Sequence, residues 1–434
     1  MIKSPFIGLQ KPVFRYSPPS FSLEDIAVPN KLTLLVDQSL EEGESYAIKN
    51  GDAVKTGQKL QVINDKDTYA IATATGTITD IKPLVGDFGQ TFTAITIEKS
   101  GKDELENQFN AEEADLNSVI DYCGCLPGNP CFKTIADNEI HTIVINSMDQ
   151  DLMANANLSV THARPKDLTS GIAFLKEIEG VERVILAVPE RMLSIVNSTK
   201  AEIVVVGEEY PSALPAFLIK NIFDIELLVG QKPEDEGIAI LSAESVANLG
   251  LTLKTGALAM DKVVTVVRNN GSTTNVKARI GTPVKYIFNK LGIETAEGDR
   301  VIHGGPMRGG AIYSDDFPVQ ACTDCLMVQK GAYISKISDY PCINCGECVR
   351  ICPASVPVNT LVPYLENARY EEAAELCDLN SCVECGLCAF VCPAKMPIFQ
   401  YIKLGKYELA MMESDQETEE TEEIEETPEV QDES

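Results

Sequence analysis

The chain has 434 residues, 44% hydrophobic and 23% charged, which suits sizeable cores and more than one domain. Its formal net charge is −29; twelve negative charges fall between Glu413 and Glu433, a stretch without Lys or Arg, leaving −17 for the rest. That acidity excludes non-specific nucleic-acid binding and adhesion by charge alone to an anionic membrane, since both need clustered Lys and Arg.

Residues 1–30 read as an N-terminal extension. The opening MIKSPFIGLQKPVF shows no apolar core followed by a small-residue cleavage site. No stretch reaches the 18 uncharged apolar residues of a membrane span, so direct transmembrane insertion is not expected. Fourteen cysteines in a long chain without an export signal point to metal or redox chemistry in a reducing, cytoplasmic setting. Over 31–100, KLTLLV, YAIKNGDAVKTGQKLQVI, TYAIATATGTITDI and TAITIEK alternate at strand spacing around NGD and TGQ turns, predicting a small β module.

From 101 to 250 the runs HTIVIN, RVILAVP, AEIVVVG and IELLVG are short, apolar and separated by helical or loop sequence. They predict a parallel sheet with crossover helices. Residues 251–317 hold two strands around the Asn-Gly turn at 269–271, then a helix opened by Thr282 and Pro283 as cap and first residue. The remainder, 318–412, interleaves cysteines with helical stretches, and the acidic tail 413–434 is expected to be disordered.

CINCGECVRICP and CVECGLCAFVCP each spell C-x2-C-x2-C-x3-C-P, in which three thiolates hold one [4Fe–4S] cubane and the fourth reaches across to the other. The rule assigns Cys342, Cys345, Cys348 and Cys392 to one cluster, and Cys382, Cys385, Cys388 and Cys352 to the second. Zinc sites more often use paired C-x2-C units than a triplet with a distant fourth ligand. Cys377, on a helical stretch, reads as buried packing.

The stretch 342–406 resembles the C-terminal part of the RnfC-like family, named for the RnfC component of the Rnf ion-translocating ferredoxin:NAD oxidoreductase complex. KVVTVV, RIGTPV and VIHGGPMRG resemble that family's β-grasp (SLBB-type) module, and KNGDAVKTGQKL its lipoyl-like sandwich. The resemblance implies a multidomain α/β plus β chain: lipoyl-like β-sandwich, Rossmann-like α/β core, β-grasp module, and a two-cluster ferredoxin-like helical domain. In the family, flavin and NADH occupy the α/β core, on a GGAGFPT-type loop, a GAECEPYL stretch and a YPQGGEKQLI stretch. Here these read CGCLPGNPCF, SMDQDLMANANL and YPSALPAFLIKNIF. Only Gly124 and Gly128 remain of the first, and Gly304 and Gly305 of the GGPM stretch could line a vestigial pocket. This argues against FMN and against NADH oxidation by this chain.

Cys123, Cys125 and Cys131 stand where the flavin loop should be, and Cys322 and Cys325 follow the GGPM stretch. Resemblance therefore places the two groups near one pocket, as a third iron–sulfur cluster, a thiol relay, or structural zinc and inert thiols. The reading as a whole is a cytoplasmic, peripheral electron-transfer subunit passing single electrons through two [4Fe–4S] clusters. Its partners would be ferredoxin or a similar carrier and the other subunits of a membrane-bound redox complex. Two alternatives stand beside it: an NADH-oxidising flavin protein of the RnfC type, and an electron donor to a dedicated soluble reductase such as proline reductase.

Overall fold

The computed structural model describes residues 12–18, 21–38, 40, 43–64, 66, 68–86, 89–106, 109–338 and 340–425, with backbone alone over 414–425. The chain divides into a unit of 13–227 and 231–334 and a second unit built on the residues from 335 onward.

The first unit contains three β layers. Alternation in KLTLLV turns Leu32, Leu34 and Val36 inward along strand Lys31–Val36. That strand pairs antiparallel with Thr91–Lys99, which pairs with Gly76–Val85, which pairs in turn with Ala53–Val54. Lys59–Gln61 and Tyr69–Ile71 form a separate two-stranded ladder. Leu34, Val36, Val54, Ile78, Ile95 and Ile97 fill the core of this module.

The second layer is wholly parallel, in the order Glu202–Val205, Arg183–Val188, Thr142–Asn146, Ile238–Ser242. Parallel neighbours require crossovers, and helices Ala156–Ala163, Pro165–Leu175, Pro215–Phe223 and Ala243–Thr255 lie between or after the strands. Three of the four expected strands form. The fourth expectation is corrected: 225–230 makes no strand, and IAILS at Ile238–Ser242 takes the place beside Thr142–Asn146. An apolar run by itself does not specify burial. Leu228 and Val229 are 75% and 60% exposed, whereas Ile238, Ala239 and Leu241 are buried.

The third layer is a mixed six-stranded sheet. Its hairpin, Asp261–Val267 with Thr273–Arg279, closes through the Asn-Gly turn, where Gly271 has φ +79°. Helix Val284–Lys290 follows, then Arg300–His303 and Gly310–Ile312, and Cys325–Gln329 inserts parallel beside Asp261–Val267. The expected boundary at 317 therefore falls inside this sheet, because 318–329 supplies a central strand. The N-terminal extension also contributes, as Leu23–Asp25 adds a parallel edge to Thr273–Arg279. Thr282 does not cap the helix: Pro283 stays extended at φ −60°, ψ 138° and is itself the cap residue, and the buried Thr282 hydroxyl has no partner.

In the second unit, helices Glu347–Ile351, Val358–Glu366, Tyr370–Cys377, Leu387–Phe390 and Ile398–Glu425 surround a core that includes Val358, Leu361, Leu365, Ala373, Ile398, Ile402 and Leu409. Cys377 is buried in that core, as its helical position implied. The expectation of a disordered tail is corrected over 413–425, where the last helix runs on to Glu425. Glutamate is a good helix former, and extending an already nucleated helix costs little. Residues 426–434 lie outside the described residues.

Candidate metal centres

Each octet folds as a loop entering a short helix, and the two loops repeat the same backbone. Asn344 and Gly346 in the first have φ +51° and +75°; Glu384 and Gly386 in the second have φ +52° and +73°. The left-handed turns curl each C-x2-C segment, so that backbone amides face the ligand sulfurs. Asn344 N–H donates to Cys342 Sγ at 3.4 Å, and Glu384 N–H to Cys382 Sγ at 3.5 Å. Gly346 and Gly386 then serve as N-caps of the short helices carrying Cys348 and Cys388.

Cys342, Cys345, Cys348 and Cys392 line one pocket, walled also by Val362 and Met396. Burial pushes the Cys348 thiol up to about 11, and the neighbouring Cys342 and Cys345 add to it. In the second group burial pushes Cys385 up to about 11, with Cys382 and Cys352 acting in the same sense. Cys388 is raised by burial and then by Cys382, Cys385 and Cys352. Cys352 thus comes from the first octet to join the second triplet, and Cys392 crosses the other way.

Both donor sets are four soft thiols, which suit iron–sulfur chemistry. Among the described residues no three or more His, Cys, Asp or Glu converge on the position of a single metal ion. A cubane asks for something else, since its four thiolates sit around the corners of a cluster rather than about one point. The fit is good.

The other five cysteines are placed differently. The Gly128 N–H donates to the Ala321 carbonyl at 2.9 Å, so the 121–132 turn and the 320–325 loop do meet. Cys125, Cys131 and Cys322 are exposed, whereas Cys123 and Cys325 are buried. Cys325 packs with Ala154 and Val267, and burial raises its thiol well above the ordinary range, with Asp151, Asp149 and Asp324 opposing its ionisation as well. The two segments meet here with three of their thiols exposed and two buried.

The glycines of the suspected flavin pocket face the protein's own atoms. A Cβ on Gly128, at φ +96°, would lie 2.6 Å from Ser242 Oγ and from Ser245 N. A Cβ on Gly305, at φ +96°, would lie 2.5 Å from the Asp151 carboxyl carbon, and Asp151 accepts N–H bonds from Met307 and Arg308 at 3.0 and 2.8 Å. Gly304 faces Gly309, and Gly124 caps helix Leu116–Cys123. At Gly128 and Gly305 the protein's own atoms take the space that a Cβ would occupy.

Sequence reasoning missed a buried charge network behind this region. Lys262 pairs with Glu244 and, at 2.8 Å, with Asp324; Lys262 and Glu244 are wholly buried. Asp149 accepts from Asn157 N and Nδ2 at 3.1 Å, and burial, with Asp324 adding, pushes it up to about 7. The one available signal was a lysine inside the apolar run DKVVTVV.

Two four-thiol sets on a repeated loop and helix have the make-up of an iron–sulfur protein. Residues 341–396 match the 4Fe-4S dicluster domain, and residues 8–102 match the RnfC barrel sandwich hybrid domain. Relatives include the C component of the ion-translocating oxidoreductase complex of Edwardsiella ictaluri, 25% identical over 84% of this chain and 49% of that one. The C component of the proton-translocating ferredoxin:NAD(+) oxidoreductase complex of Clostridium ljungdahlii is 26% identical over 89% of this chain and 90% of its own. The chain is similar to the RnfC-like family in these two domains, and it spans about half the length of the Edwardsiella relative. An NAD+-reducing [NiFe]-hydrogenase structure aligns over 69% of this chain and 62% of its own, with 11% identity and a TM-score of 0.45.

Proposed function

We propose that the chain is the iron–sulfur electron-transfer subunit of an Rnf-type ion-translocating oxidoreductase complex, peripheral on the cytoplasmic membrane face. It relays single electrons between a soluble carrier of the ferredoxin class and the other subunits. Cys342, Cys345, Cys348 and Cys392 hold one cluster; Cys382, Cys385, Cys388 and Cys352 hold the second. The observation that carries this reading is the exchange of the fourth thiol between the two octets, which interlocks two cubane sites in one small core. When bound, each cubane takes up and returns one electron. The chain's own residues fix the thiolates, exclude water through Val362, Met396 and Ile398, and donate N–H bonds to Cys342 and Cys382 Sγ.

Among the described residues no helix is long and apolar enough to cross a membrane, so attachment is assigned to partner subunits. The parallel layer is read as the Rossmann-like core, and the six-stranded sheet as the β-grasp module. The latter is supported by strand order, with the last strand inserted parallel beside the first strand of the hairpin. No flavin step is included, because Ser242, Ser245 and Asp151 fill the glycine cradle.

For the five remaining cysteines, exposure of Cys125, Cys131 and Cys322 on two joined segments favours a thiol relay over a third cluster. Anaerobic protein tests both readings together. Two clusters and exposed thiols give about eight irons per chain with Cys125, Cys131 and Cys322 open to alkylation at alkaline pH; a third cubane gives about twelve irons with those thiols protected.

A further inference from the structure

The two octets lie on a repeat of 40 residues, Cys342 matching Cys382 and Pro353 matching Pro393. Followed beyond the cysteines, the repeat aligns Lys406 with Glu366, so equivalent positions carry opposite charges. Glu366 is exposed at the end of helix Val358–Glu366. Lys406 is folded against the second centre: its Nζ donates to the Cys382 carbonyl at 2.5 Å and to Glu384 Oε1 at 3.1 Å, and its side chain is 25% exposed.

We propose that Lys406 sets the two clusters at different potentials, raising that of the centre held by Cys382, Cys385, Cys388 and Cys352 above that of its twin. The inference rests on the two-cluster reading above. Reduction adds one electron and hence one negative charge to a cluster already bound by four thiolates, so a fixed cation beside it favours the reduced form. Partial burial limits the screening that would erase the effect at the surface. Glu384 offsets part of the charge, yet Nζ sits on the carbonyl of the ligand residue itself. The first loop closes instead with a neutral pair, Asn359 Nδ2 donating to Asn344 Oδ1 at 2.8 Å. An electron entering the pair comes to rest on the Cys382 side.

The test is an EPR-monitored redox titration of the anaerobic full-length chain and of Lys406→Met, Lys406→Arg and Glu384→Gln, with iron counted in each sample. Lys406→Met should lower one of two resolved potentials, the reduced-to-oxidised ratio at fixed potential falling about tenfold, about 59 mV for one electron. Lys406→Arg should restore it, and Glu384→Gln should move the same centre upward. Should Lys406→Met lose iron, the direction of the Glu384→Gln shift decides. The inference is overturned if fully loaded variants leave both potentials in place or move both equally. Wild-type protein without two reducible clusters would instead overturn the two-cluster reading.

Discussion

Cys345 is exposed and Cys348 is buried, although each supplies one thiolate to the same cavity. Exposure therefore does not separate ligand from bystander; convergence does. Replacing Cys345 or Cys385 with Ala should cut bound iron from about eight to about four per chain, removing one EPR signal and sparing the other. Asp149 makes a different prediction. Burial holds its proton in the folded chain at pH values where the unfolded chain has released it. Its contribution to stability is thus present at low pH and lost as pH climbs from about 4 to about 7, at up to about 1.4 kcal/mol per unit. In Asp149→Asn, Oδ1 can still accept from Asn157, so denaturant titrations should show the variant gaining on wild type over that window and holding the gain above it. A gap that does not change with pH would show that the carboxyl is ionised throughout.

The octets could be read in the sequence because ligand spacing is local, repeated and read directly as chemistry. The hairpin at 261–279 was legible for a similar reason, since Asn-Gly supplies the backbone the turn needs. What stayed hidden depends on partners far along the chain. Lys262 meets Asp324 across 62 residues, and the strand Ile238–Ser242 is chosen over 225–230 by its register with Thr142–Asn146. The turn at 121–132 belongs to this class as well: its cysteines suggested ligands, whereas its glycine explains its placement. Gly128→Ala puts a Cβ against Ser242 and Ser245 at a left-handed φ and should cost about 2 kcal/mol. It should also loosen the Ala321 contact, so a lower Tm should accompany faster alkylation of Cys322. Unchanged values for both would mean that the turn is not held there.

Six of the eight cysteines of the two motifs, all but Cys345 and Cys385, lie in or pack against the second unit's hydrophobic core, while the first unit has cores of its own. Stripping iron with a chelator should therefore abolish one calorimetric transition and leave that of residues 13–334 near its original temperature. Loss of both transitions together would contradict two separately stabilised units. Iron, acid-labile sulfide and zinc should be measured on the full chain purified and kept anaerobic, beside its reduced EPR spectrum. Two cubanes give about eight irons and eight sulfides per chain, with two reducible centres. Four irons or fewer, or zinc in place of iron, would contradict the two-cluster reading.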